Sequence, residues 1–178
     1  MRKQRQTVLC TVLALAALVA SIPVSSHADG GGGGDATSSR VVRLKPEDPD
    51  YTKATKAIKA GDFAAAIPLL ERVVARDSTD ADAYNWLAYS IRRNGDPAGS
   101  LPIYEKALAI DPKHRGAHEY IGEAYLVLGD VSKAKEHLAA LDRLCFLPCS
   151  QYRDLKKAIE AFEKSGGKVK PTAAHSTW

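Results

Sequence analysis

A short pattern recurs every 34 residues through the middle of this chain of 178 residues. The dipeptides Gly61-Asp62, Gly95-Asp96 and Gly129-Asp130 follow one another at this interval, and Pro68 and Pro102 keep the same spacing. Further sets are Ala66, Ser100 and Ala134; Leu70, Tyr104 and Leu138; and Tyr84 with His118. A fixed period of this length is typical of arrays in which one supersecondary unit stacks on the next.

Each unit of the pattern predicts two helices. Apolar residues recur at helical spacing from Ala81 to Asn94. Gly95 ends that helix, because glycine readily takes the left-handed conformation of a C-cap, and Asp96 begins the next helix as an N-cap. Pro102 falls near the first turn of this second helix, where a missing N–H costs little. Aromatic residues make up only 7% of the chain, which also favours an all-helical protein over a β-sandwich.

The second unit, residues 81–114, resembles a tetratricopeptide repeat. It carries an aromatic residue at Tyr84, a small residue at Ala88, a second aromatic residue at Tyr104 and a closing proline at Pro112. These residues occupy the positions that define the repeat in that family, so the resemblance is specific for the fold.

The first and third units depart from the family pattern. Asp50 and Lys53 stand at sites of the first unit that are usually apolar, and Thr79 replaces its closing proline. In the third unit His118 takes the first aromatic site, and Phe146 stands where the proline is expected. The resemblance therefore predicts a degenerate first repeat.

The resemblance implies an all-α, right-handed α-solenoid of seven helices, with three helix-turn-helix repeats and a C-terminal capping helix. Tyr152, Leu155 and Ile159 continue the apolar phase beyond the third unit, while charged residues cover the other face. One polar face is what the last helix of such an array needs. The predicted repeat domain spans 47–164, with repeats at 47–80, 81–114 and 115–148 and the capping helix at 150–164.

The first 28 residues have the organisation of a secretory signal peptide. A basic start precedes an apolar run from Thr7 to Ile22, and Ser26-His27-Ala28 supplies small residues at the two positions that a signal peptidase reads. We therefore predict cleavage after Ala28. The run is also long enough for a retained membrane anchor, but Pro23 and the small-residue site favour cleavage.

The segments on either side of the predicted repeat domain have the composition of flexible chain. Residues 29–46 include five consecutive glycines and predict a linker. Residues 165–178 predict a disordered tail, because Gly166 and Gly167 stop the last helix and Pro171 prevents a restart.

Cleavage would also change the net charge. The whole chain carries a net charge of +4. The predicted cleavage removes three basic and no acidic residues, which leaves 22 basic residues and 21 acidic residues. A nearly neutral chain gives no reason to expect binding to nucleic acid or stable membrane insertion after cleavage. We predict a periplasmic or secreted protein.

Two cysteines, Cys145 and Cys149, remain after the predicted cleavage. In an oxidising compartment an even number of thiols predicts a structural disulfide, which would hold the capping helix at a fixed angle. Two alternatives stay open: a thiol-redox pair, or a soft-metal site that adds His137. Either would make the chain a periplasmic redox or metal-handling protein.

Catalytic motifs are absent from the sequence. It has no Gly-rich phosphate loop, no Gly-x-Ser-x-Gly, no His-Glu-x-x-His and no pair of carboxylates suited to acid–base catalysis. His114 and His118 have a spacing that can bind metal, but His118 falls on a packing site and no third ligand lies nearby. We predict no enzyme activity, no cofactor and no metal site.

Binding to another protein is the function that remains. In tetratricopeptide arrays the first helices line a concave groove that holds an extended peptide or a partner helix. The resemblance therefore implies a non-catalytic adaptor with an envelope protein as partner, although Arg92 and Arg93 could equally be a solvated helix end. The predicted groove residues are Tyr51, Thr55, Lys59, Asn85, Tyr89, Arg92, Arg93, Glu119, Glu123 and Leu126.

Overall fold

The computed structural model describes residues 48–168, which form seven α-helices and no β-strand. The signal peptide, the linker and most of the tail that the sequence predicts lie outside these residues. The predicted all-α fold class is confirmed. The helices are α1 (Pro49–Lys59), α2 (Phe63–Arg76), α3 (Ala81–Arg93), α4 (Pro97–Ile110), α5 (Arg115–Val127), α6 (Val131–Leu144) and α7 (Ser150–Lys164).

Each helix packs against the next along the chain, and α3 also contacts α5 while α5 contacts α7. This nearest-neighbour pattern is that of an α-solenoid, in which each helix pair buries its apolar face on the pair beside it. Between residues 48 and 168, none of the helices is long and apolar enough to cross a membrane.

The turns inside the three helix pairs share one backbone design. Gly61, Gly95 and Gly129 have φ values of 79°, 103° and 85°, in the left-handed region. The residue after each glycine donates its N–H five residues back, to the carbonyl of Ala57, Ile91 or Tyr125 at 2.9, 3.1 and 2.8 Å. This is the Schellman arrangement that ends a helix on glycine. The 34-residue period is therefore a period of helix termini.

The aspartate after each of these glycines caps the next helix. The Oδ1 atoms of Asp62, Asp96 and Asp130 accept hydrogen bonds from backbone N–H groups three residues on, at 3.0, 2.7 and 3.0 Å. Each carboxylate satisfies one of the donors that a helix leaves unpaired at its N-terminus.

Pro68 and Pro102 lie deeper in their helices than predicted. Each is the sixth residue of its helix, so the missing N–H falls in the second turn and not in the first. Both prolines are exposed, so the carbonyl that loses its partner can bond to water.

Ion pairs hold the first helix pair together where the repeat pattern is degenerate. Asp50 accepts from Arg72 at 3.1 Å and from Arg76 at 2.9 Å, and Asp48 accepts from Arg76 at 2.9 Å. Hydrogen bonds from both arginines lower the pKa of Asp50 to about 2. Asp50 occupies the repeat position of Tyr84, so charge pairing between α1 and α2 takes the place of aromatic packing.

The capping helix closes the apolar core at its C-terminal end. Leu155, Ile159 and Phe162 of α7 are buried against Leu126 of α5 and Leu141 of α6. Gly122 makes room for this contact: a Cβ atom there would lie 2.7 Å from Leu155 Cδ2. The helix therefore docks more closely than any side chain at position 122 would permit.

Candidate partner-binding site

Four aromatic side chains form one connected group on α2, α3 and α5. The Tyr89 ring lies 5.8 Å from Phe63, 5.5 Å from Trp86 and 4.9 Å from Tyr120. Trp86 and Tyr120 are 6.1 Å apart. The first two contacts are edge-on, a geometry that aromatic quadrupoles favour. The group joins the second and third repeats across the α3–α5 contact.

Two arginines at the end of α3 pack on these rings. The Arg93 guanidinium lies 4.7 Å from the Phe63 ring centre, and its Nη1 donates to the Tyr89 hydroxyl at 2.7 Å. The Arg92 guanidinium lies between Tyr89 and Tyr120, at 5.4 and 5.8 Å. We refer to Phe63, Trp86, Tyr89, Arg92, Arg93 and Tyr120 as the aromatic–arginine cluster.

Arg92 is held in a nearly buried ion pair. Its Nη2 donates to Glu123 Oε2 at 2.8 Å, and the two side chains are only 9% and 15% exposed. The buried Tyr104 hydroxyl interacts electrostatically with Arg92, but neither that hydroxyl nor Arg92 Nε completes a hydrogen bond within residues 48–168. Arg92 is therefore a fixed part of the α3–α5 interface and not a solvated helix end.

Glu119 adds a second carboxyl group beside this pair. Burial raises its pKa to about 8, and the nearby Glu123 and Asp154 add to the shift while Arg92 opposes it. The Glu119 side chain is therefore largely protonated at neutral pH. A single negative charge, that of Glu123, then balances Arg92.

The structure brings five of the predicted groove residues together, namely Tyr89, Arg92, Arg93, Glu119 and Glu123. The others lie at different depths. Asn85 is buried, as are Tyr89 and Glu119 within the group, and Leu126 packs under α7. On α1, Tyr51 packs against the core, Thr55 donates its hydroxyl to the Thr52 carbonyl, and Lys59 is exposed.

Sequence reasoning missed Trp86 and Tyr120. Each follows a predicted groove residue, Asn85 and Glu119 respectively, and both are partly buried. They are 34 residues apart and so occupy the same position of successive repeats. An aromatic residue repeated at that position was the available signal.

Cys145 and Cys149 lie at the junction of α6 and α7. Their Cα atoms are 5.8 Å apart and their sulfur atoms are in contact, a separation that suits a disulfide. Cys145 is the C-cap of α6 and Cys149 the N-cap of α7. The Pro148 carbonyl between them accepts from Arg153 Nη1 at 2.8 Å.

His114 has partners of its own, whereas His118 and His137 contact each other. His114 caps α5 by accepting from the Ala117 N–H at 3.1 Å, and its Nε2 lies 3.0 Å from Asp82 Oδ1. His118 Nδ1 lies 3.0 Å from Nδ1 of His137 on α6. Among residues 48–168 no group of three or more His, Cys, Asp or Glu side chains is placed to hold a metal ion.

Comparison with known families agrees with this fold. Two models described as tetratricopeptide repeat match residues 51–115 and 92–159, and together they cover the helical array from α1 into α7. The chain belongs to the tetratricopeptide repeat family. No curated protein matched the chain.

Solved structures of similar fold include MamA from Desulfovibrio magneticus RS-1, with 27% identity and a TM-score of 0.52 over 53% of this chain and 54% of MamA. The chain thus matches about half the length of that protein. The Yersinia enterocolitica chaperone SycD aligns with a TM-score of 0.58 at 16% identity, over 66% of this chain and 91% of SycD. The first tetratricopeptide domain of human RPAP3 aligns with a TM-score of 0.53 at 20% identity, over 64% of this chain and 92% of that domain. The latter two show the shared fold alone.

Proposed function

We propose that this chain is a non-catalytic protein-interaction adaptor that binds a peptide or helix of a partner protein through its first helices. The aromatic–arginine cluster is the observation that carries the proposal. Trp86 and Tyr120 are partly exposed, and their neighbours hold them in place. Rigid aromatic side chains bind with little loss of conformational entropy, which is why tyrosine and tryptophan are favoured interface anchors.

Proteins of similar fold give this proposal support. SycD has been solved in complex with a peptide of the translocator YopD, at 16% identity to this chain. A fold of this kind can therefore hold a peptide. The partner of the present chain is proposed to be a different, envelope protein, because the sequence predicts export.

Crosslinking pull-down from an envelope extract tests the adaptor role. We expect the wild-type chain to retain one or more partners, and Trp86→Ala and Tyr120→Ala each to lower recovery at least tenfold. Lys156→Ala is the matched control, because Lys156 is exposed on α7. Circular dichroism checks that the variants remain folded. Equal recovery by the wild type and both aromatic variants would place the binding surface elsewhere.

Export is part of the proposal and has its own test. We propose that residues 1–28 are a cleaved signal peptide, that 29–46 are a linker and that 165–178 are a tail. Cell fractionation followed by N-terminal sequencing should recover the chain outside the cytoplasm, starting at Asp29. Recovery in the cytoplasm with Met1 or Arg2 at its start would contradict export.

The cysteine pair supports a second candidate function. Cys149 lies at the N-cap of a 15-residue helix, where the helix dipole stabilises a thiolate and favours thiol-redox chemistry. We propose a structural disulfide as the first interpretation, since the pair joins α6 to α7. Measuring the mass of the chain at increasing thiol concentration distinguishes a structural disulfide from a thiol-redox pair. A disulfide that resists a mild thiol buffer indicates a structural role, and ready reduction indicates a redox pair.

A further inference from the structure

His118 and His137 meet inside the third helix pair with a defined hydrogen arrangement. His118 Nε2 lies 3.2 Å from the Pro112 carbonyl oxygen, and its Nδ1 lies 3.0 Å from His137 Nδ1. A carbonyl oxygen only accepts, so Nε2 of His118 carries the hydrogen in the neutral ring. Nδ1 of His118 then presents a lone pair toward His137.

The surroundings favour neutral rings at pH 7. Both side chains are partly buried, and burial lowers the pKa of each, to about 4 for His137. The Tyr125 ring stacks on His137 at 5.8 Å and 16°, which fixes the plane of that imidazole. Two oriented neutral imidazoles are the form in which histidine binds metal ions.

We infer that His118 and His137 form a binding site for a divalent first-row cation, Cu²⁺ in preference to Zn²⁺, through their two Nδ1 atoms. The separation of these atoms suits such a site. With bonds of about 2.0 Å, two nitrogens on one cation stand about 2.8 Å apart in cis square-planar geometry and about 3.3 Å apart in tetrahedral geometry. The observed 3.0 Å lies between these values.

Each of the two neutral imidazole rings keeps its single N–H hydrogen when the cation binds. Before binding, the hydrogen between the two Nδ1 atoms belongs to His137, since His118 Nδ1 is an acceptor. Binding moves that hydrogen through solvent to Nε2 of His137, which leaves one lone pair on the Nδ1 atom of each ring for the cation. The bond from His118 Nε2 to the Pro112 carbonyl is the kind of outer contact that orients metal-binding histidines.

The site offers two protein ligands, because within residues 48–168 no third His, Cys, Asp or Glu joins them. Water fills the remaining positions, so the cation exchanges readily, and its preference follows the intrinsic order in which Cu²⁺ exceeds Zn²⁺.

Paramagnetic broadening locates the cation in the wild-type chain. A ¹⁵N-labelled chain without a histidine tag is titrated with substoichiometric CuCl₂ in metal-free buffer at pH 7. We expect amide signals within a few residues of His118 and His137 to disappear first. Broadening that starts instead around His27 or His175 would overturn the inference.

Calorimetry on three variants tests the ligands. His118→Gln and His137→Gln should each raise the Kd for Cu²⁺ at least tenfold. His114→Asn is the matched control, because asparagine keeps the α5 cap and leaves the pair intact; its Kd should stay within twofold of the wild type. An unchanged Kd in both pair variants would overturn the site. A lower Kd for ZnCl₂ than for CuCl₂ would overturn the stated preference.

Discussion

At the residue scale, the adjacent arginines Arg92 and Arg93 are expected to contribute differently to the free energy of unfolding. Both lie in the last turn of α3 and pack on aromatic rings. Arg92 makes a nearly buried ion pair with Glu123, whereas Arg93 donates to the uncharged Tyr89 hydroxyl. A sequence reading treats them alike, because the partner of Arg92 lies 31 residues away on another helix.

We predict that Arg92→Met destabilises the chain by about 3 kcal/mol, because it leaves the nearly buried Glu123 carboxylate without its partner. Arg93→Met is the control and should cost less, about 1–2 kcal/mol, because it removes a cation–π contact and one hydrogen bond but leaves no charge unpaired. Urea unfolding followed by circular dichroism measures both. Equal losses in the two variants would mean that the ion pair adds little to the α3–α5 interface.

Glu119 makes the stability of the chain depend on pH. Its pKa is about 8 in the folded chain, against an ordinary value of 4.5. Between these values the folded state holds a proton that the unfolded state has lost, so the contribution of Glu119 is complete below pH 4.5 and is lost as the pH rises toward 8. Burial is the main cause, with Glu123 and Asp154 adding to it.

We predict that Glu119→Gln removes this dependence, because the amide stays neutral. Relative to the variant, the wild type should lose about 1–3 kcal/mol between pH 5 and pH 8.5. The comparison with the variant matters, since His118 and His137 have lowered pKa values and act in the opposite direction. Urea midpoints at the two pH values measure it. Parallel pH profiles would show that Glu119 ionises normally.

At the element scale, the helix boundaries could be predicted from the sequence and the depth of side chains could not. The Gly-Asp dipeptides mark where one helix ends and the next begins, because glycine conformation and aspartate capping are local effects. Burial of Leu126 under α7, and of Glu119 beside Asp154, depends on how closely the capping helix docks. That distance is set by contacts between residues far apart in the sequence.

Substituting Gly122 tests this close docking, because the sign of the change in stability distinguishes close from loose packing. In an ordinary helix interior, glycine to alanine stabilises by about 0.5–1 kcal/mol. At Gly122 a Cβ atom would meet the fully buried Leu155 at 2.7 Å. We predict that Gly122→Ala instead destabilises by about 1–3 kcal/mol, as overpacked cores do.

Thermal unfolding of Gly122→Ala, alone and combined with Leu155→Val, measures the effect. The double variant should recover part of the loss, because valine withdraws the atoms that the new methyl group meets. A stabilised single variant would show that α7 docks more loosely than described. The second repeat has Ala88 at this position, so the glycine requirement belongs to the capping contact and not to the repeat as such.

At the scale of the whole molecule, three helix pairs and one capping helix form one stacked array with several buried clusters, and the two ends of the array differ in chemistry. The first pair is held by Asp48, Asp50 and their arginines, whereas the last is covered by the apolar face of α7. Ion pairs at an exposed end contribute little, so the first pair depends on its own buried residues, such as Ile58 and Leu70, and the last pair depends on the capping helix. A solenoid without its cap leaves an apolar face in water.

We therefore predict that a chain ending at Pro148, with Cys145→Ser to prevent intermolecular disulfides, loses stability and self-associates. Leu155, Ile159 and Phe162 would be absent, each worth about 1.5–3 kcal/mol of apolar burial, and Leu126 and Leu141 would face solvent. A chain ending at Lys168 with both Cys145→Ser and Cys149→Ser is the control, since it too has neither thiol of the pair, and it should stay monomeric. Light scattering after size exclusion and urea unfolding measure the two properties. A monomer with an unchanged midpoint would show that three helix pairs suffice, and that α7 serves its junction with α6 more than the core.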